Sequence, residues 1–154
     1  MNMEKVIIYT DGAARGNPGK AGWGVVFILG KKVLEIGGRS DHATNNQMEL
    51  TAAIEGLKYL RKHKINVPVG IFADSKYVIL GITEWIFNWQ KNNWRNAAKK
   101  PVLNRELWEE LYELTQEFKP TWGYVKGHSG HEWNDRVDLI ATSFADDEPV
   151  ELRK

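Results

Sequence analysis

Val6-Ile7-Ile8-Tyr9-Thr10-Asp11-Gly12 reads as a short strand, an apolar and β-branched run closed by a turn signal. An acid, Asp11, stands where the run gives out. A second run, Val69-Gly70-Ile71-Phe72-Ala73-Asp74, stops the same way, with Ser75 next. Two carboxylates at the ends of two buried strands repel each other and lose hydration, a poor choice for stability alone. The arrangement makes sense if something positive sits between them.

Between these runs the chain supplies the rest of a sheet. Residues 24–29 and 32–38 read as a hairpin turning at Gly30, so the sheet starts with three antiparallel strands. The glycine-rich stretch 12–22 lacks the Gly-Lys-Ser/Thr close of a phosphate-binding loop and reads as a tight connection. Thr44-Asn45-Asn46 opens a helix whose apolar stripe is Leu50, Ile54, Leu57 and Leu60, with Ala52, Ala53 and Gly56 beside it for close packing. Glu49 is expected in its first turn, where the helix dipole alone accounts for an acid. A strand–helix–strand crossover then sets the second acid-terminated strand parallel to its neighbour, bringing Asp11 and Asp74 to one carboxyl edge.

Beyond Asp74, a short helix is expected over 76–82, with Thr83 capping another. Residues 85–105 hold Lys91, Arg95, Lys99, Lys100 and Arg105 and no acid, interleaved with Trp85, Phe87, Trp89 and Trp94. Such a segment grips phosphates and packs on sugars or bases; here the tryptophans mostly pack and the cations face the partner. Asn104 is expected to cap a helix reaching Phe118, residues 121–125 form the last strand, and Gly127-His128-Ser129-Gly130-His131 is a loop. The final helix buries Trp133, Val137, Ile140 and Phe144, and puts His131, Asn134 and Asp138 on another face. The expected organisation is one domain over 1–154, with a basic protrusion at about 85–100 and a frayed tail over 146–154.

Composition narrows the function classes. The 154 residues carry a net charge of +1, so a polyanion must be held by a local patch rather than by bulk charge. Absence of cysteine excludes disulfides and thiolate zinc sites. No apolar run approaches the ~18 residues of a membrane span, and the first residues lack signal-peptide character, so a cytoplasmic protein is expected.

Each acid has a bland reading alone, but Asp11, Glu49, Asp74 and Asp138 together do not. One like-charge pair at ~4 Å costs about 4 kcal/mol at an effective dielectric of ~20, so four acids in one cleft require cations. Oxygen ligands suit Mg²⁺ or Mn²⁺. Two such ions ~3.5–4 Å apart activate water and stabilise the leaving oxygen in an in-line phosphoryl displacement.

Over essentially its whole length the sequence resembles ribonuclease H type 1, the bacterial ribonuclease HI form. The matching stretches are Tyr9-Thr10-Asp11-Gly12, Gly16-Asn17-Pro18-Gly19, Thr44-Asn45-Asn46 with Met48-Glu49-Leu50, Asp74-Ser75 with Tyr77-Val78, Gly81-Ile82-Thr83 with Trp85-Ile86, Lys99-Lys100-Pro101-Val102, and Val125-Lys126-Gly127-His128 with Gly130-His131. The resemblance implies an α/β fold, a five-stranded mixed sheet with three antiparallel strands followed by parallel ones, flanked by helices. It also implies an endonuclease that cuts the RNA strand of an RNA–DNA hybrid, leaving 5′-phosphate and 3′-hydroxyl ends, as a monomer with two Mg²⁺ ions.

By position, the resemblance makes Asp11, Glu49, Asp74 and Asp138 the metal ligands and His128 an aid to proton transfer or product release. Asn17, Asn45 and Asn46 match minor-groove contacts, Thr44 and Asn104 a phosphate pocket for the DNA strand, and residues 85–100 (Trp85, Lys91, Arg95, Lys99 and Lys100) the hybrid-holding protrusion. This chain departs from its close relatives at His42, near a usual Arg of the phosphate pocket, at Gln47 for Arg and at Lys76 for Gln. Two rivals share the fold: a non-catalytic hybrid-binding module, and an integrase or junction resolvase.

Overall fold

The computed structural model describes residues 4–127 and 130–154. Strands β1 (Val6–Gly16), β2 (Gly19–Leu29) and β3 (Lys32–Ala43) lead into α1 (Asn45–Lys62), then β4 (Val69–Ala73) and α2 (Lys76–Leu80). A π-helical turn (Gly81–Trp85) joins α2 to α3 (Ile86–Lys91), followed by α4 (Arg105–Phe118), β5 (Thr121–Tyr124) and α5 (Glu132–Ala145).

The five strands form one sheet in the order β3-β2-β1-β4-β5. β1–β2 and β2–β3 are antiparallel, whereas β1–β4 and β4–β5 are parallel, as expected from the acid-terminated runs and the helical crossover. Alternation along β1 feeds two layers. Ile8 joins the cluster made with Leu50, Ile54, Leu57 and Leu60 of α1, and Tyr9 joins Val137 and Ile140 of α5. Both of these helices therefore pack on β1, and α5 also lies on β2. No helix among the described residues is long and apolar enough to cross a membrane.

Four local expectations are corrected. The glycine-rich stretch is not a loop: β1 and β2 run on as a ladder to Gly16↔Gly19, leaving Asn17 and Pro18 as the turn. Gly22 in this ladder makes room for α5, since a Cβ there would lie 2.4 Å from the Ala141 carbonyl oxygen. Thr83 caps nothing; its hydroxyl donates to the Ile79 carbonyl inside a helix that continues through the π turn, 2.6 Å away.

Asn104 occupies the N-cap position of α4 in a left-handed conformation, but its side chain leaves the helix and donates to the Tyr77 hydroxyl, 3.1 Å away. The tail is not frayed. Glu35 of β3 and Arg153 exchange backbone N–H···O (2.8 Å) and N–H···carboxylate (2.9 Å) bonds, and Val150 and Leu152 pack with the α5 cluster. The acids 146–148 suggest a solvated end, but the apolar and cationic residues after them have a partner 118 positions away.

Candidate active site

The last parallel pair of β1 and β4 is Thr10↔Ala73, so Asp11 and Asp74 are the next residues on two adjacent strands. Asp11 is almost wholly buried, and Asp74 is half-buried. Glu49 approaches from α1. It lies one turn deeper than the sequence pattern suggests: α1 begins at Asn45 and has no acid in its first turn. The helix dipole therefore does not explain Glu49. What brings it in is Gly12, where a Cβ would stand 2.5 Å from the Glu49 nitrogen, so only glycine lets α1 press this close to β1.

Carboxylate oxygens of Asp11, Glu49 and Asp74 all lie within 4.8 Å of one another. Asp138 of α5 stands on the wall of the same cleft, of about 590 Å³, with Asn45, Ser75, Lys76 and Tyr77. It lies near enough for its charge to act on both aspartates, although it is not part of the tight group of three. The Gly12 N–H donates to Asp11 Oδ1 (2.9 Å), while Asp11 Oδ2 is buried with no hydrogen-bond partner among the described residues.

The electrostatics follow from that crowding. Burial, then the charges of Glu49 and Asp74, push the Asp11 carboxyl up to about 12. Burial and the Asp74 charge push Glu49 up to about 8, and burial also raises Asp74. The cations at the cleft are committed elsewhere. Arg15 holds Asp146 through two bonds of 2.6 and 2.8 Å, and the Lys76 ammonium lies 5.1 Å from the centre of the Tyr124 ring. An oxygen-only donor set with an orphaned buried oxygen fits a divalent cation. His128 lies outside the described residues. Gly127 before it packs on Asp74: a Cβ there would lie 2.8 Å from Oδ2.

A second cleft, of about 500 Å³, gathers residues far apart in sequence: Asn17, Thr44, Asn46, Gln47, Tyr77 and Asn104 are among its lining. Asn17, Thr44, Asn46 and Asn104 are expected substrate contacts; Asn45, another, faces the acid cleft, and its backbone N–H donates to Asn17 Oδ1 (3.0 Å). Thr44 and Gln47 cap α1 reciprocally, the Thr44 hydroxyl accepting from the Gln47 N–H (3.1 Å) and Gln47 Oε1 from the Thr44 N–H (2.8 Å). Gln47 thus has a structural task. His42 is exposed.

The basic segment stands beside this cleft. Its tryptophans pack in series at tilted angles, Trp85–Trp89 and Trp89–Trp94 each at 6.1 Å between ring centres, and Trp89 meets Trp108 of α4 edge-on at 5.3 Å. Trp94 is buried, while Trp85 keeps 37% of its surface exposed. Lys91, Arg95, Lys99 and Lys100 are all exposed, and Arg95 also donates to the Lys99 carbonyl (3.0 Å), shaping the turn between them. Tyr77, three residues past Asp74, lines both clefts. Sequence reasoning noticed it only as part of a matching stretch; its spacing from a strand-end acid was the available signal.

Comparison with known proteins gives one consistent picture. The model of the RNase H family matches residues 3–146. Ribonuclease H of Hydrogenovibrio crunogenus is 50% identical over 145 residues, 94% of this chain and 98% of that protein. Ribonuclease H of Erythrobacter litoralis is 50% identical over 144 residues, covering 94% and 98%. Among solved structures, RNase H1 of Halobacterium salinarum is similar with a TM-score of 0.72 at 29% identity, over 93% of this chain and 98% of that one. An RNase H1 crystallised with an RNA/DNA hybrid is similar with a TM-score of 0.70 at 26% identity, over 92% and 97%.

Proposed function

We infer the reaction from kinship: the chain belongs to the RNase H family, and it hydrolyses the RNA strand of RNA–DNA hybrids. The family is metal-dependent, and the acid cluster can hold a metal. In our reading the ions are two Mg²⁺, replaceable by Mn²⁺, held by Asp11, Glu49, Asp74 and Asp138. The observation that carries it is the approach of three carboxylates to within 4.8 Å, with Asp11 Oδ2 unpartnered among the described residues. When bound, the ions supply an activated water and neutralise phosphate oxygens during an in-line displacement that leaves 5′-phosphate and 3′-hydroxyl ends.

The chain's own residues do the rest. β1 and β4 fix the two aspartates on adjacent strands, so the ligand set is rigid before substrate arrives. Asn17, Asn45 and Asn46 form an amide row leading out of the acid cleft, suited to reading bases and 2′-hydroxyls in the shallow groove of a hybrid. Thr44 and Asn104 take a phosphate of the DNA strand, and Trp85, Lys91, Arg95, Lys99 and Lys100 hold the duplex beyond it. His128 moves a proton or helps product leave; we expect His128→Ala to be slower and not dead, since the bound ions carry most of the activation. The named relatives are bacterial, and in such cells RNA meets DNA in the cytoplasm; a monomer of one domain working there completes the reading.

The test offers labelled hybrid, duplex RNA, duplex DNA and single strands with Mg²⁺, Mn²⁺ or EDTA. The expected result is cleavage confined to hybrid RNA, lost in EDTA. Equal cleavage of duplex DNA, or activity surviving the chelator, would contradict it.

A further inference from the structure

Arg15 lines the acid cleft from the far end of β1, on the same face of the strand as Asp11 by alternation and roughly 13 Å along it. Its guanidinium is held in one pose. Nε and Nη2 donate to the two carboxylate oxygens of Asp146, just past the end of α5, at 2.6 and 2.8 Å. That fork engages one edge of the guanidinium and leaves Nη1 on another. The side chain is 51% exposed, and Asp138 is near enough for its charge to act on it. The same corner offers a contrast. Arg39 of β3 faces the next acid, Asp147, at 3.6 Å, but its side chain is only 25% exposed and is not part of the acid-cleft lining. Arg39 suits a clamp; Arg15 makes the tighter pair while standing half in water beside the metal-ligand wall. Directly opposite Arg15 on β2 is Lys20, also exposed. Residues directly opposite share a face, and like charges there are destabilising. Two cations thus crowd the rim of an acid cleft, at a cost the fold alone does not explain.

We propose that Arg15, with Lys20 beside it, holds one backbone phosphate of the RNA strand, displaced along β1 from the phosphate that is cut. This rests on the reading above that the acid cleft takes the RNA strand. A strand lying across Asp11 and Asp74 leaves the cleft past its walls, and the lining carries a cation on each side, Lys76 from α2 and Arg15 from β1. Asp146 is the positioning residue. It sets the guanidinium before substrate arrives, so less side-chain freedom is lost on binding. It also takes back part of the attraction, since its own charge opposes a phosphate. The contact is therefore a pre-oriented, charge-assisted hydrogen bond rather than a full ion pair, and Lys20 adds a second charge to the same spot. A phosphate caught there fixes which linkage lies over the acids, so its loss shows in affinity and KM more than in the chemical step.

The test measures hybrid affinity across salt with the metal-stripped protein in EDTA, for the unaltered protein, Arg15→Gln, Lys20→Gln and Asp146→Asn. It also walks one neutral methylphosphonate linkage along each strand of the hybrid. Arg15→Gln is expected to bind about three- to ten-fold more weakly, with a salt dependence shallower by up to about one unit of slope. One RNA-strand linkage that costs the unaltered protein a similar factor should cost Arg15→Gln little, and Lys20→Gln should lose part of the penalty at that same linkage. Asp146→Asn breaks the same ion pair but keeps the cation. Its melting temperature should move with that of Arg15→Gln, while its salt slope and linkage penalty stay as in the unaltered protein. Equal losses of affinity in Arg15→Gln and Asp146→Asn would make the pair a clamp alone and overturn the proposal. Unchanged binding by Arg15→Gln would overturn it too, as would a penalty relieved on the DNA strand instead. Thermal melts establish that each variant is folded, and Lys20→Gln, at an exposed position outside the ion pair, carries the test if Arg15→Gln is not. Failure to bind or cut hybrid in the unaltered protein would instead overturn the functional reading beneath it.

Discussion

Two groups of buried acid in this molecule are built on opposite plans. Glu35 of β3 has a side chain with no exposure at all, and the chain itself neutralises it: Arg136 grips both oxygens at 2.7 and 2.8 Å, and Arg153 adds a backbone N–H at 2.9 Å. Burial works against the charged form, but the Arg136 hydrogen bonds and both guanidinium charges win, and the carboxyl ends below its ordinary value. Asp11, Glu49 and Asp74 are buried against one another, and their carboxyls end above theirs. A buried acid that the chain partners serves the fold; buried acids that it leaves to each other require a cation from outside.

The largest effect that would break this contrast is in Asp11→Asn. Activity on hybrid should fall by about 10³-fold or more, measured as kcat/KM. The metal-free protein should meanwhile become more stable, by about 1–3 kcal/mol in urea unfolding, because one member of a repelling group is gone. Full activity in this variant would detach Asp11 from the chemistry.

Glu35→Ala should do the reverse. Unfolding is expected to be easier by about 2–4 kcal/mol, below the usual cost of breaking a buried pair because Arg136 and Arg153 keep access to water. Hybrid cleavage well below the melting temperature should persist. A variant as stable as the parent would make Glu35 a spectator.

The pH dependence of stability separates the groups by sign. For the acid cluster, native pKa values are raised, so the folded state binds more protons than the unfolded one above the usual carboxylate range. Stability of the metal-free protein should fall as pH rises from about 5 toward 8. Glu35, with its lowered pKa, contributes stability that is present above the ordinary glutamate value and lost as pH falls through the folded one. Urea midpoints against pH should show the rising-pH loss in the parent and its reduction in Asp11→Asn.

The smallest effect concerns the protrusion. Neutralising Lys91, Arg95, Lys99 and Lys100 together should weaken hybrid binding and flatten its dependence on salt, by up to about one unit of slope for each phosphate the protein no longer neutralises. An unchanged slope would remove the protrusion from the interface.

The same contrast shows what the sequence could disclose. Asp11 and Asp74 were legible because an acid that ends an apolar run is a local pattern, and parallel pairing follows from the crossover. Glu49 was legible as a candidate for the wrong reason, since the dipole argument placed it in a first turn that ends before it. Its burial comes from Gly12, a neighbour 37 positions away in a chain whose local patterns say nothing of it. The long hairpin was hidden because glycines that admit α5 look like a loop. Glu35 drew no notice, since an acid in a strand alternation reads as solvent-facing until Arg136 and the tail arrive from the far end of the chain. Tyr77 was hidden for a like reason: both groups that hold its hydroxyl come from the start of α4.

The central claim, that the three crowded carboxylates are completed by divalent cations, is tested most directly by melting the metal-stripped protein across a Mg²⁺ titration, beside Asp11→Asn. Binding to the native state alone should raise stability with ion concentration, by about 2.7 kcal/mol at a hundred times the dissociation constant. The account predicts that rise in the parent and a flat response in the variant. Equal responses in the two proteins, or none in the parent, would contradict it.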